Sequence, residues 1–356
     1  MKILIAGLGS IGRRHFRNLI ALGEKDLVLY RTNRATLPDD ELADYPVETD
    51  LLTAFEKHRP QAVIVSNPTA LHLDVAIPAA RMGCAILLEK PISNDLSRVD
   101  ELRRAVAESG SRVLVGFQFR FHPTLNKAKE LIAAGAIGKV LTVHAHWGEY
   151  LPNWHPWEDY RESYAARADL GGGVIRTLTH PLDYLRYLLG EVESLWSFNG
   201  HISPLEIDVE DVAEIGLRFK SGAIGGLHLN YVQRPPVHRL EIVGTAGTLR
   251  WDNADGLLTL FQSPDAFGGI YPQPGGVVPP VRHPASTTLA GQPQPAAEHR
   301  YAPPDGFERN QLFVAQTLHF LAVAKGESEP ICSLEDGIRA LELALAAKYS
   351  STEKFK

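Results

Sequence analysis

Gly7-Leu8-Gly9-Ser10-Ile11-Gly12 carries the spacing G-x-G-x-x-G directly after a short apolar run over residues 2–6. Each glycine has its own task in holding a dinucleotide. Gly7 permits a tight turn, Gly9 lets a pyrophosphate approach the backbone, and Gly12 lets the next helix pack closely on its strand. Ser10 and Ile11 open that helix, whose first amides and dipole would face the anion. A glycine triplet also fits a plain turn, but a strand before it and a helix after it favour the nucleotide.

Nineteen residues beyond Gly12, where an NAD enzyme sets an Asp or Glu against the ribose hydroxyls, the chain reads Arg31-Thr32-Asn33-Arg34. A carboxylate would repel a 2'-phosphate, whereas guanidinium groups pair with it in bidentate fashion. Arg31, Thr32 and Arg34 therefore point to NADP, with NAD as the lesser option. Two solvated loop arginines are the plainer alternative.

Between His146 and Arg167 the chain gathers Trp147, Tyr150, Trp154, Trp157, Tyr160 and Tyr164 with His155, Arg161 and Arg167, including three of the five tryptophans. Flat rings suit the CH faces of a sugar, and arginines suit a carboxylate or phosphate. Trp154, Tyr160 and Arg167 are thus candidate substrate contacts, although the same residues could equally cement the loop to a domain or subunit interface. Farther on, His180 follows Gly171-Gly172-Gly173. Imidazole titrates near neutral pH and can take the proton released when an alcohol is oxidised, and glycines let backbone come close to a ligand.

The elements that must position these groups follow from the apolar pattern. Runs at 2–6, 27–30, 62–65, 85–88 and 112–115 alternate with helical stretches such as 11–22 and 95–109. Continuous apolar runs separated by helices predict a parallel, doubly wound sheet. After about residue 121 a helix at 125–134 gives way to strand-like runs at 140–146, 193–199, 211–219, 225–232, 239–243 and 248–251. Glycine turns between these runs predict an open, mostly antiparallel sheet. Ten of the 24 prolines lie between Pro264 and Pro304, so 262–305 reads as a long irregular arm or lid. Helical patterns at 310–324 and 334–348 close the chain and are expected to pack back on the first domain. The expected α/β organisation is a domain at 1–121 and a second at 122–356.

At 356 residues, two domains are expected. The formal charge of −6, with 36 basic and 42 acidic residues, argues against nucleic acid as a partner. No run approaches the roughly 18 apolar residues of a membrane helix, and the N-terminus lacks a signal-peptide pattern, so a cytoplasmic location away from membranes is expected. Cys84 and Cys332 are too few for a disulfide framework and lack metal-ligand spacing, so no metal is expected.

Several further motifs stand at the carboxyl ends of the predicted strands: Ser66-Asn67-Pro68-Thr69 with His72, Leu88-Glu89-Lys90-Pro91, and Val115-Gly116-Phe117-Gln118-Phe119-Arg120-Phe121-His122-Pro123. With Gly138-Lys139-Val140, the glycine triplet, His180, Asp183 and Val243-Gly244-Thr245-Ala246-Gly247-Thr248, the chain resembles the Gfo/Idh/MocA oxidoreductases over most of its length. The stretch from Trp147 to Leu185 is most similar to members associated with polysaccharide and acidic-sugar pathways.

The resemblance implies a Rossmann domain, a second α/β domain, and hydride exchange between a nicotinamide and a carbohydrate-like substrate. It also implies dimers or tetramers built through the second sheet. Asn67, Pro68, His72, Glu89, Lys90 and Gln118 would line the cofactor. Lys90, aimed by a cis bond to Pro91, would stabilise a developing alkoxide. Arg120, Thr177 and Asp183 would join the substrate contacts. One departure stands out: relatives commonly carry an Asp three or four residues before the histidine, where this chain has Arg176 and Thr177. Asp183 could orient His180 from the other side or sit in the first turn of a following helix, and residues 177–180 could form one helical turn unless Pro181 starts a new helix or kinks the chain there.

The combined expectation is an NADP(H)-preferring oxidoreductase acting on a sugar, sugar acid or sugar nucleotide, with Lys90 and His180 as its catalytic residues. A redox-neutral enzyme that retains its cofactor (isomerase, eliminase or glycosidase type) and a non-catalytic dinucleotide-sensing protein are the rivals.

Overall fold

A computed structural model describes residues 1–32, 40–262 and 297–350. The first half is built from β1 (Ile3–Ala6), α1 (Ser10–Ala21), β2 (Leu27–Tyr30), β3 (Val47–Glu48), α2 (Leu51–His58), β4 (Ala62–Val65), α3 (His72–Arg81), β5 (Ala85–Leu88), α4 (Val99–Ser109) and β6 (Val113–Val115). The strands form one parallel sheet in the order β3-β2-β1-β4-β5-β6. The reversal of strand order between β1 and β4 opens the crevice in which such folds bind nucleotides. β1, β4, β5 and β6 are fully buried, which explains their unbroken apolar sequences.

The second half contains α5 (Pro123–Ala133), β7 (Val140–Tyr150), α6 (Val174–Thr177), α7 (His180–Leu189), β8 (Val192–Gly200), β9 (Val212–Phe219), β10 (Ile224–Asn230), β11 (Val232–Gly244), β12 (Gly247–Asp252), β13 (Leu258–Gln262) and β14 (Ala297–Tyr301). Its eight strands run β14-β13-β12-β11-β7-β10-β9-β8. All pairings are antiparallel except β7 with β10. The long excursion through α6, α7, β8 and β9 brings the chain back to β7 in the same direction. Val143, Ala145 and Trp147 alternate inward with Leu227, Leu229, Leu240 and Ile242, while Thr142, His144 and His146 of β7 point to the other face of the sheet.

Two predicted runs merge differently from expectation. The run at 225–232 breaks after Asn230, and β11 extends from Val232 through the run at 239–243. Pro235 and Pro236 cannot donate to the ladder, and pairing with β7 lapses between Val232 and Val237 as a bulge. The edge strands β3 and β14, and β13 beside the latter, were not anticipated. Of these, β14 occupies part of the stretch read as an irregular arm, whereas residues 263–296 lie outside the described residues.

α8 (Arg309–Lys325) and α9 (Leu334–Lys348) close the chain and serve both cores. Phe320, Leu321, Ile338 and Leu341 join the core of the parallel sheet, and Leu312, Ala344 and Ala347 join that of the second sheet. Ser333 and Asp336 cap α9 reciprocally. Cys84 and Cys332 are free and buried.

A buried ion network ties these parts together. Arg120, in the turn after β6, grips Asp183 of α7 through Nε (3.0 Å to Oδ2) and Nη2 (2.7 Å to Oδ1). Its Nη1 donates to the Ile331 carbonyl at 2.7 Å, and Asp336 lies 3.1 Å from Nη2. Burial pushes the Asp183 carboxyl above the usual range, and the Arg120 guanidinium offsets only part of that rise. Arg120→Met would strand that carboxylate and is expected to destabilise the protein by about 3–5 kcal/mol. The Arg120→Met, Asp183→Leu double variant should recover part of the loss, as read by urea denaturation.

Candidate active site

The glycine turn has the close approaches its sequence predicts. A Cβ on Gly7, whose φ is +92°, would stand 2.4 Å from the Asn67 amide nitrogen, and one on Gly12 would stand 1.9 Å from the Gly7 carbonyl oxygen. A Cβ on Gly9 would meet nothing within 4 Å, so this glycine leaves room beside the start of α1. No side chain caps that helix and no acid stands in its first turn. Ser10 and Ile11 therefore open an uncapped helix N-terminus, a cradle that fits a pyrophosphate. Arg31 and Thr32 follow the carboxyl end of β2; Arg34 lies outside the described residues.

At the end of β5, Glu89 is turned inward. Its Oε1 lies 2.8 Å from His15 Nε2 of α1, and a Cβ on Gly116 would come within 2.9 Å of its carboxyl carbon. Burial opposes ionisation of Glu89, yet the bond to His15 and the charge of Lys90 hold its carboxyl below the usual range. His72 also stands behind the site. Its ring nitrogens each lie 2.9 Å from a carbonyl oxygen, of Pro91 and Asn67, so it braces the two turns against each other. Asn67 donates to the Leu71 carbonyl, Pro68 begins the next turn, and Gln118 is buried in the turn that follows β6.

The Lys90–Pro91 bond is cis, as expected. Lys90 Nζ reaches across to the second half of the chain and donates to the Thr177 carbonyl oxygen at 2.8 Å. Burial lowers its pKa to about 8, against the raising charges of Glu89 and Glu149. Thr177 thus contributes its backbone to the site.

His180 is 3% exposed and walled by rings. Phe119 meets it edge-on at 5.1 Å, Phe117 at 5.5 Å, and Trp147 stacks on it at 5.5 Å and 25°. Its Nδ1 is sealed without a hydrogen-bond partner. Burial, then the charges of Lys90, His238 and Arg309, hold its pKa well below the usual histidine value.

Around His180 the structure separates the alternatives. Asp183 does not orient the imidazole, because Arg120 occupies its carboxylate. Residues 177–180 do not form one helical turn: α6 ends at Thr177, Leu178 is non-helical, and α7 starts at His180 with Pro181 in its first turn. The glycine triplet makes its close approaches to protein: a Cβ on Gly172 would strike the Tyr164 carbonyl oxygen at 2.4 Å, and one on Gly173 would strike Glu210 at 2.2 Å. Arg176, in place of the relatives' acid, donates to the Gly172 and Asn94 carbonyls.

The aromatic segment divides. Trp147 reaches His180, whereas Trp154 packs edge-on against Tyr231 at 5.5 Å and the Tyr160 hydroxyl accepts from the Glu206 amide. Arg167 pairs with Asp169 at 2.7 Å. These contacts favour the cementing role for Trp154, Tyr160 and Arg167, and none of them joins these side chains to Lys90 or His180.

The sequence reading passed over His238, Glu149, Arg14 and Arg309. His238 stacks on Trp147 at 4.1 Å and 9°, and Tyr184 Oη lies 3.3 Å from its Nε2. Glu149 accepts from Trp147 Nε1 at 2.7 Å. Strand alternation carries the signal for both, since His238 shares parity with inward Leu240 and Ile242, and Glu149 shares parity with Trp147. Among the described residues no group of His, Cys, Asp and Glu could hold a metal ion, and no helix is long and apolar enough to cross a membrane.

Comparison with known proteins agrees with this arrangement. Residues 1–117 match the oxidoreductase family with an NAD-binding Rossmann fold, and residues 125–250 match the GFO/IDH/MocA C-terminal domain. The scyllo-inositol 2-dehydrogenase (NAD(+)) of Bacillus subtilis is 31% identical over 259 residues, spanning 70% of this chain and 73% of that protein. The 2,7-anhydro-N-acetylneuraminate hydratase of Mediterraneibacter gnavus is 30% identical over 235 residues, 64% of this chain and 60% of its own length. In fold, levoglucosan dehydrogenase in complex with NADH and levoglucosan superposes with a TM-score of 0.80 at 20% identity, covering 98% of this chain and 96% of that one. With its paired sheets, glycine cradle and Glu-Lys-Pro turn, the chain belongs to the Gfo/Idh/MocA family of oxidoreductases.

Proposed function

We propose that this chain moves a hydride between the nicotinamide of NADP(H) and a carbinol carbon of a sugar, sugar acid or sugar nucleotide. The observation that carries the reading is the Lys90 ammonium bonded to the Thr177 carbonyl, beside a neutral, ring-walled His180. The nicotinamide, when bound, supplies the hydride acceptor or donor. In the oxidising direction the substrate hydroxyl gives its proton to His180. Nε2 is the atom for this step, since Nδ1 is sealed. Lys90 donates a hydrogen bond to the same oxygen and stabilises negative charge as it develops. Phe117, Phe119 and Trp147 exclude water from the imidazole and fix its plane.

Preference for NADP rests on Arg31 and on the engagement of a nearby acid. Glu41, just beyond the nucleotide turn, is bonded to Arg13 at 2.9 Å and Arg17 at 2.8 Å, which hold its carboxyl below the usual range despite burial. Its charge is therefore offset rather than aimed at a 2'-phosphate. The partner reading, a second copy docking on the outer face of the eight-stranded sheet, is supported by Trp196, Phe198 and Ile224, which expose 51%, 60% and 52% of their surface there.

A second reading, a redox-neutral reaction with the cofactor oxidised and re-reduced in each turnover, is favoured by the hydratase relative and by the missing acid near His180. Sustained turnover without net change in nicotinamide absorbance would identify it.

Lys90→Met is expected to keep NADP(H) binding and lower turnover about a hundredfold or more, because the donor is lost while the stem remains. Activity within a few-fold of the parent would remove Lys90 from the reaction. In the pH–rate profile, the productive form has His180 neutral and Lys90 protonated, so kcat/KM for oxidation should be level through neutral pH and fall above about 8. Lys90→Arg should shift the falling limb upward. For the cofactor, fluorescence titration should give tighter binding of NADPH than NADH, with Arg31→Ala weakening NADPH about tenfold and NADH little. Equal affinities in the parent would refute the NADP assignment.

A further inference from the structure

We infer that Arg14 and Arg309 form a clamp for an anionic group, a carboxylate or phosphate carried by the substrate, at the edge of the Lys90–His180 site. The inference rests on the proposed site and extends it to the charge class of its ligand.

The geometry begins on α8. Arg309 and Phe313 are one turn apart and share a helix face. Arg14 of α1 lays its guanidinium carbon 4.5 Å above the Phe313 ring. Asn310 Nδ2 donates to Asn18 Oδ1 at 2.9 Å and pins this turn of α8 to α1. Phe313 also meets the edge of His15 at 6.3 Å, and His15 holds Glu89, the neighbour of Lys90. Two arginines from different helices therefore converge beside the carboxyl end of β5. Arg309 bears electrostatically on Arg14, Lys90 and His180 alike, lowering each.

The second observation is the absence of a counter-charge. Acidic residues outnumber basic ones in this chain, 42 to 36, and neighbouring arginines are matched. Arg13 and Arg17 share Glu41, and Arg120 takes Asp183. Among the described residues, the half-buried Arg14 guanidinium and the exposed Arg309 guanidinium make no hydrogen bond or ion pair, and the Phe313 ring lies against the Arg14 guanidinium. Glu89 acts on Arg14 through its charge but without a bond, and both it and the neighbouring Glu308 are bonded elsewhere. Glu308 accepts the amide of Gln311 in the cap of α8, and Glu89 is buried against His15.

Like charges held side by side without a partner are unfavourable unless a ligand neutralises them. A guanidinium stacked on a ring is poorly hydrated and presents a planar fork that matches the paired oxygens of a carboxylate or phosphate. The cofactor's pyrophosphate is the other anion near α1, but its cradle is the glycine turn at the start of that helix. Phe313, which Arg14 covers and which lies one turn from Arg309, packs through His15 on Glu89 beside Lys90, which places the clamp at the reacting end.

Calorimetry on the NADH-loaded protein tests this with D-glucuronate against D-glucose, D-galacturonate against D-galactose, and D-glucose 6-phosphate against D-glucose. The parent is expected to prefer at least one anionic sugar over its neutral match by tenfold or more. Arg309→Gln and Arg14→Gln should each reduce that preference by about tenfold to a hundredfold, leaving NADH affinity and neutral-sugar affinity within about twofold. Three outcomes overturn the inference: no anionic preference in the parent, no change in the variants, or a loss of NADH affinity with the preference intact. The last would assign the arginines to the pyrophosphate. Because binding is read without turnover, sustained turnover with no net change in nicotinamide absorbance would end the net hydride-transfer reading and leave this result standing.

Discussion

The buried carboxylate of Glu89 is the constraint on which the site depends. A lone carboxylate inside a protein core costs several kcal/mol, so it persists only where bonded and offset. Here His15 bonds it at 2.8 Å, the Lys90 amide lies 3.3 Å from its other oxygen, and the missing side chain of Gly116 gives it room. His15 belongs to the same helix whose first residues form the nucleotide cradle. One anion therefore fixes the position of α1 relative to β5, and with it the relation between the dinucleotide cradle and Lys90.

Charges in the rest of the molecule divide according to their use. Arg120 is satisfied by two carboxylates and a carbonyl and joins three parts of the chain, a structural arrangement in which every donor direction is spent. Lys90, Arg14 and Arg309 are left under-compensated around His180. Burial and the charge of Arg309 depress Lys90 and Arg14, and burial with the nearby cations keeps the imidazole neutral.

The parallel sheet was legible in the sequence because burial on both faces writes a strand as an unbroken apolar run. Leu27–Tyr30, Ala62–Val65 and Ala85–Leu88 match their predicted limits. Edge strands lack that signature: β14, with the sequence AEHRY, is almost wholly exposed, and its pairing with β13 is set by tertiary position. The parallel contact of β7 and β10 was hidden for the same reason, since strand order depends on how a long connection returns. At the site, Lys90, His180 and the glycine turn could be read because their local motifs carry their chemistry. The partnership of Arg120 with Asp183 could not be read, because the residues are 63 positions apart and either could have faced a ligand. Arg309 was missed because it has no motif around it; its meaning comes only from where α8 lands.

The absent acid before His180 changes how the imidazole is held and what it can do. A carboxylate on Nδ1 would orient the ring and stabilise its protonated form, raising its pKa. In this chain the aromatic walls fix the ring plane through contacts worth about 0.5–1.5 kcal/mol each, which favour neither protonation state strongly. With no anion beside it and cations nearby, His180 stays neutral, fit to accept a proton but poorly suited to retain one. Lys90, with a pKa of about 8, is protonated at neutral pH yet able to release its proton. Burial lowers both pKa values yet leaves the ammonium charged and the imidazole neutral at neutral pH, which gives the two groups distinct roles. A neutral acceptor beside a labile ammonium allows the hydroxyl proton to be taken at one group while the other holds the oxygen. The chain's departure from the usual pattern before the histidine thus leaves a proton path in place, with its polarity set by burial and by the arginines at the edge of the site.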